Sequence, residues 1–128
     1  DGNIYAAGYS QGATSNTDFT VTSLTNGGSE RWVYKYNGRG NGTDEARKVV
    51  YGSDGNIYAV GYSGNAASGS ADFTIISLTR PGTQRWVYTW DASHDGGIDD
   101  GYDLVFGNDG NIYAAGYSQS IDWPRSLR

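Results

Sequence analysis

Asp54-Gly55-Asn56-Ile57-Tyr58-Ala59-Val60-Gly61-Tyr62-Ser63 is the stretch that decides the fold, because the chain repeats it. The same phrase occupies residues 1–10 and 109–118, where alanine in place of Val60 is the only change. A repeat of about 50 residues is typical of solenoids, propellers and related arrays, in which each unit buries its apolar face against a neighbour. We therefore treat the chain as one domain, 1–128, built from copies 1–43 and 44–98 and a partial copy 99–128.

The composition favours an all-β fold. The chain has 128 residues, of which 37% are hydrophobic and 14% aromatic, and this is too apolar for a disordered segment. Twenty glycines and eleven tyrosines suit short strands joined by tight turns. The net charge of −5 and the scattered basic residues argue against nucleic-acid or membrane partners. Cysteine is absent, which excludes disulfides and thiolate chemistry.

Four strands are predicted in each copy, and we label them A to D. Strand A ends in consecutive apolar residues, as in Val49-Val50-Tyr51, and the following Asp54-Gly55 predicts a tight turn into strand B. Ala59 and Gly61 are expected to keep strand B low, so that another sheet can approach it. The predicted strands are A at 45–51 and 101–106, B at 57–62, C at 19–24 and 73–78, and D at 31–36 and 85–90.

Strand D alternates with a period of two residues. Trp32, Tyr34 and Tyr36 fall on one face, and Trp86 occupies the position of Trp32 in the next copy. The two tryptophans are therefore expected to pack between units. Four sequential antiparallel strands, graded from an apolar inner strand to a mixed outer one, predict a β-propeller blade.

These residues resemble the SBBP-type family of β-propeller repeats. The resemblance rests on Asp-Glu-Ala at 44–46, on Ser-Asp-Gly-Asn-Ile-Tyr-Ala-Val-Gly-Tyr-Ser at 53–63, on Asp-Phe-Thr-Ile-Ile-Ser-Leu at 72–78 and on Trp-Val-Tyr at 86–88. It covers nearly the whole chain. It implies a bladed fold in an extracellular or cell-surface protein of bacterial type, and it implies no activity.

The strand count exceeds two blades. From Asp1 the order is B, C, D, A, B, C, D, A, B, so nine strands stand where two blades need eight. A further strand C begins at 120–123 but is interrupted by Pro124. Because an isolated pair of blades leaves apolar faces in water, we expect identical chains to close a ring, as a trimer of six blades rather than a tetramer of eight. A fragment of a longer propeller is the alternative interpretation.

Loops B–C and D–A differ between the copies and should lie on one face of the ring, where function is usually placed. This face is acidic. Two carboxyl groups flanking a bond can hydrolyse a glycoside, which makes a glycoside hydrolase the alternative function. The candidate catalytic residues are Asp44, Glu45, Asp99 and Asp100. The competing interpretation is that Asp44 and Asp99 cap their own loops as Asx turns.

Aromatic rings beside Gly/Asn/Ser loops suit stacking on sugars, so a non-catalytic carbohydrate-binding or scaffold module is the leading function. The candidate ligand-binding residues are Tyr36, Trp90, His94, Asp95 and Trp123. His94 is the only histidine, so a triad or a multi-histidine metal site is not expected within one chain, and we expect its ring to be solvated.

No metal site is predicted with any regular motif. Calcium could sit among Asp95, Asp99, Asp100 and Asp103, but their spacing lacks the alternation of an EF-hand loop. No cofactor is therefore predicted, with calcium as the only alternative.

Overall fold

The computed structural model describes residues 1–13, 16–38, 40–65, 67–91 and 97–119. These ranges are all-β, and no helix in them could span a membrane. The strands are β1 Ile4–Gln11, β2 Thr17–Leu24, β3 Glu30–Tyr36, β4 Asn41–Tyr51, β5 Ile57–Asn65, β6 Ala71–Leu78, β7 Gln84–Trp90, β8 Ile98–Phe106 and β9 Ile112–Gln119. Their order is the predicted B, C, D, A, B, C, D, A, B.

The strands pair as antiparallel neighbours within each copy. Strands β1, β2 and β3 form one sheet, which we call the first sheet. Strands β4 to β7 form a complete A-B-C-D set, the middle sheet, and β8 pairs with β9 as the end hairpin. A single parallel bridge, Ala71 to Ile98, links the end hairpin to β6. The predicted strand C at 120–123 lies outside the described residues.

Strand A is longer than predicted. It begins at Asn41 in β4 and at Ile98 in β8, whereas the sequence placed its start at 45 and 101. The extra residues are held because Asn41 pairs with Asn65, at the far end of β5. The D–A loops are correspondingly shorter, and the first residues of strand A reach the loop face.

The repeated phrase forms the predicted turn. Gly55 has a φ of 84°, and the Asp54 carboxylate accepts a bond of 3.0 Å from the Asn56 amide. The Tyr58 hydroxyl donates to the same carboxylate, so Asp, Asn and Tyr of the phrase lock one another. The same three-residue arrangement recurs at Asp1, Asn3 and Tyr5 and at Asp109, Asn111 and Tyr113.

The middle sheet has apolar residues on both faces. One face packs Ile57, Ala59, Ile76 and Leu78 against Phe19 and Val21 of the first sheet. The other face packs Tyr58 and Val60 against Leu104 of the end hairpin. Successive copies therefore stack face to face, and each buries apolar area that a single copy would leave in water.

Gly61 has a different role from the one predicted. A Cβ atom there would lie 1.9 Å from the carbonyl oxygen of Glu45 and 2.9 Å from the Cα of Ala46, where β4 bulges. The close approach is thus made by the neighbouring strand of the same sheet, not by another sheet. Gly116 meets Asp100 in the same way.

Candidate functional site

Asp44 is fully buried at the start of the core part of β4. Its carboxylate accepts bonds from the Ser63 hydroxyl at 2.7 Å, the Gly64 amide at 3.0 Å and the Gly38 amide at 2.9 Å. The predicted Asx turn is therefore wrong for Asp44, because its partners lie on β5 and on the preceding loop rather than two residues ahead. The carboxylate ties the D–A loop to strand B.

The environment of Asp44 changes its acidity. Burial raises the pKa, the bonds from Ser63, Gly38 and Gly64 lower it, and the charge of Asp18 raises it again, so the pKa lies above its ordinary value. Asp99, the counterpart in the next copy, is also fully buried and accepts a bond from the Ser118 hydroxyl. Both carboxyl groups are therefore held by donors of their own fold.

Asp100 forms an ion pair across the stacked copies. The Arg47 guanidinium on β4 donates from Nε at 3.2 Å and from Nη2 at 3.0 Å to the two carboxylate oxygens of Asp100 on β8. Burial raises the pKa of Asp100 more than the Arg47 charge lowers it, and the charge of Glu45 raises it further. Lys48 and Asp103 repeat the pairing nearer to solvent, at 3.4 Å.

Aromatic rings surround the Arg47 guanidinium. It lies 5.4 Å from the ring centre of Tyr62 and 4.8 Å from that of Tyr102, within the range of cation–π attraction. The Tyr62 hydroxyl donates to Glu45 at 2.9 Å. Burial, together with this bond to a carboxylate, raises the pKa of Tyr62 well above its ordinary value.

These groups line a cleft of about 490 Å³ on the face formed by loops B–C and D–A. Its volume lies within the 300–1,000 Å³ or so that small-molecule sites occupy. Arg47, Tyr62 and Asp100 lie on one side, and Tyr117 of β9 on another. Amide and hydroxyl groups complete the wall, contributed by Asn16, Thr43, Asn65 and Ser70.

The cleft includes only part of the predicted site. Asp100 lines it, while Glu45 reaches it through Tyr62. Tyr36 instead packs against the core between the first and middle sheets, and Trp90 is exposed on β7. His94, Asp95 and Trp123 lie outside the described residues.

The sequence interpretation missed Arg47, Tyr62, Asn65 and Tyr117. Tyr62 and Tyr117 occupy one position of the repeated phrase, which was interpreted as purely structural. A signal was present: Arg47 stands where the next copy has Tyr102, so strand A differs between copies at a position facing the next unit. Loop differences alone pointed to other residues.

A separate group of carboxylates lies at the junction of strands C, D and A. Oxygens of Asp72, Asp91 and Asp99 lie within 4.8 Å of one another. Of the predicted calcium ligands, Asp99 belongs to this group, while Asp100 and Asp103 pair with basic residues and Asp95 lies outside the described residues. Three carboxylates could hold a divalent cation, but such groups are common without one, and we assign no function to this cluster.

Neither a comparison with protein-family models nor a comparison with curated proteins finds a match to this chain. The class of protein therefore follows from the fold itself. It is an all-β repeat protein whose successive antiparallel sheets stack face to face.

Proposed function

We propose that the chain is a non-catalytic binding and scaffold module whose cleft accepts a carbohydrate. The observation that carries the proposal is the combination of Tyr62 and Tyr117 with Arg47, Asp100 and Asn65 in one cleft. Ring faces suit the apolar faces of sugars, and charged or amide groups suit hydroxyls. The resemblance to SBBP repeats, with its extracellular setting, is part of the same proposal.

The polar groups of the cleft are organised before any ligand arrives. The guanidinium of Arg47 is fixed by two bonds to Asp100 and by the rings of Tyr62 and Tyr102. A ligand would thus pay little conformational entropy to order these side chains, which favours binding.

Glycoside hydrolysis remains the alternative. The raised pKa of Asp100 is a property that a general acid needs, and Glu45 lies close enough to influence it. Against this alternative, Asp44 accepts three bonds and Asp100 is held by Arg47, so both act as acceptors already engaged by the fold. We therefore favour binding over turnover.

The finer architecture belongs to the same proposal. Each four-strand set is taken as a propeller blade, and the stacking of three successive copies along one direction supports this arrangement. Two blades per chain would close a ring as a trimer of six blades, which we favour over a tetramer of eight. In that ring the cleft lies where loops B–C and D–A meet.

A glycan array and a panel of chromogenic glycosides test the function. Tyr117→Ala should weaken sugar binding at least about tenfold, the loss expected when one stacking ring worth about 1.4 kcal/mol is removed. Tyr9→Ala is the matched control, because Tyr9 holds the same repeat position but does not line the cleft. Turnover that Asp100→Asn abolishes with folding intact would establish the hydrolase instead, and equal loss in both tyrosine variants would contradict the cleft assignment.

A further inference from the structure

The contact between two successive copies occurs once within the chain and provides a template. The indole of Trp32 on β3 donates to the carbonyl oxygen of Arg80 at 2.9 Å, and the Tyr34 hydroxyl donates to Gln84 at 2.6 Å. Gly82 lies directly under Trp32, since a Cβ atom there would be 2.6 Å from the indole ring. Strand D of one copy thus fits onto the C–D turn of the next.

Both halves of the same contact recur without the other half. On β7, Trp86, Tyr88 and Trp90 stand where β3 has Trp32, Tyr34 and Tyr36, and their exposed fractions are 36%, 49% and 43%. We call these three side chains the aromatic strip. It is the donor half of the contact, displayed at one end of the stack.

The acceptor half lies at the other end, on the C–D turn of the first sheet. Gly28 corresponds to Gly82 and has nearly the same backbone, with φ of 89° against 93°. A Cβ atom on Gly28 would meet no described atom within 4 Å. Asn26 corresponds to Arg80 and Glu30 to Gln84, so the acceptors of the template are present on an open surface.

The end hairpin supplies the matching strand edge. Strands β1 and β9 have the same sequence, Ile-Tyr-Ala-Ala-Gly-Tyr-Ser-Gln. Strand β9 can therefore pair with β2 of another copy in the register that β1 uses, from Ile4 opposite Leu24 to Gln11 opposite Thr17. Tyr113, 54% exposed on β9, would take the place that Tyr5 has beside Trp32 and Tyr51.

We infer that the aromatic strip and the edge of β9 are the docking site for a second copy of this chain, which inserts its β2 and β3 as the missing strands C and D. The inserted strands release their own β1, because β9 fills its place with an identical sequence. The resulting sheet, β8-β9 with β2-β3 of the second copy, has four strands, as the middle sheet does. This inference rests on the proposed ring closure and adds the surfaces that make it.

Charge and hydrogen bonding agree with this docking. On the template, Trp86 would donate to the carbonyl oxygen of Asn26 of the second copy, and Tyr88 to the carboxylate of its Glu30. A phenol donating to a carboxylate is a stronger bond than the neutral Tyr34 to Gln84 bond. The contact is head-to-tail, and such contacts close into rings when the rotation allows it.

Sedimentation of the full chain and its variants tests the inference. The wild type should sediment above the mass of a single chain. Trp86→Ala/Tyr88→Ala, which removes the donor half, and Gly28→Arg, which blocks the acceptor half, should each sediment as single chains with unchanged circular dichroism. Gly110→Arg is the matched control for backbone strain, since Gly110 also has a positive φ and its counterpart Gly55 stays open inside the stack. It should assemble normally.

Mixing the two defective variants makes the test specific for a head-to-tail contact. Each variant keeps the half that the other lacks, so an equimolar mixture should give a complex of two chains and nothing larger. A wild type that sediments as a single chain at all concentrations, or an assembly that persists in Gly28→Arg, would overturn the inference. Sugar binding is measured separately, and because one chain lines the whole cleft, a failure of either proposal can be told from a failure of the other.

Discussion

Strands β3 and β7 contain nearly the same residues and differ in their surroundings. The same local bonds form in both, since Arg31 donates to Ser23 at 2.7 Å and Arg85 donates to Ser77 at 2.8 Å. Trp32 is nevertheless covered by the middle sheet, while Trp86 is exposed. The difference teaches that the repeat unit determines its own strand pairing, whereas its burial is determined by the unit that follows it.

The largest difference between the two strands should appear on removing the tryptophans. In the Gly28→Arg background, which keeps the chain monomeric, Trp32→Ala should cost about 2–3 kcal/mol, somewhat below the range for fully buried aromatic truncations. Trp86→Ala should cost about 1 kcal/mol, because it retains chiefly its contact with Tyr58. Urea unfolding measures both values, and equal costs would show that the middle sheet does not support β3.

The supporting glycines give the next contrast. In the Trp86→Ala/Tyr88→Ala background, Gly82→Ala should cost about 2–3 kcal/mol, from the strained positive φ and from displacement of Trp32. Gly28→Ala shares only the backbone strain and should cost about 1 kcal/mol. Thermal unfolding of the two variants checks this order. A cost at Gly28 equal to that at Gly82 would place a neighbour over Gly28 within the same chain.

Alkaline pH should separate Tyr34 from Tyr88. Burial, with a smaller effect from Tyr36, raises the pKa of Tyr34 to about 12, so the folded chain retains a proton that the unfolded chain loses near pH 10. The stability from the neutral phenol is therefore complete below pH 10 and is lost as the pH rises toward 12. Allowing for solvent screening of a half-buried group, we expect a loss of about 1 kcal/mol.

Tyr34→Phe should remove this part of the alkaline loss, and Tyr88→Phe should leave it in place. Unfolding in denaturant at pH 8 and pH 11 measures the change. The assignment fails if the two variants show the same dependence on pH.

The smallest effect should come from the repeated turn, which is alike in packed and exposed copies. Burial alone would raise the pKa of Asp54, but the bonds from Tyr58 and Asn56 outweigh it and lower the pKa. A lowered pKa means that the stabilisation is present above the unfolded value of 3.8 and is lost as the pH falls through the folded value. Asp54→Asn should cost about 0.5 kcal/mol at pH 7 and nothing near pH 2, after allowing for screening.

Asp109→Asn is the counterpart in the end hairpin. The bond from Tyr113, followed by that from Asn111, lowers the pKa of Asp109, so its stabilising effect has the same sign and the same pH window. Thermal unfolding at pH 7 and pH 2 measures both. A pH-independent cost at Asp54 would show that its carboxylate charge is not what stabilises the turn.

The fold was predictable where signals were local and repeated. The Asp-Gly turn, the alternation in strand D and the strand order all follow from short-range chemistry, and the structure confirms them. The start of strand A was predicted too late, because the pairing of Asn41 with Asn65 joins residues distant in sequence. Gly61 was misinterpreted for the same reason, since the bulge in β4 that needs it is a property of two strands together.

The candidate site was less predictable than the fold. Asp44 and Asp100 look alike in sequence, as acidic residues at the start of strand A. Asp44 turns its carboxylate to three donors of its own fold, whereas Asp100 meets Arg47 of the preceding copy. A carboxylate's role depends on its partners, and these come from strands 19 and 53 residues away in the chain.

The amino-acid sequence by itself determined the repeat, the strand order and the turn of the repeated phrase, because these depend on residues only a few positions apart. Only the tertiary structure decided which copies of a residue are buried, which carboxylates are engaged, and where the cleft lies. The physical reason is that identical units have identical local preferences but different neighbours. The phrase at 54–63 is covered on both faces, and the same residues at 112–119 are open.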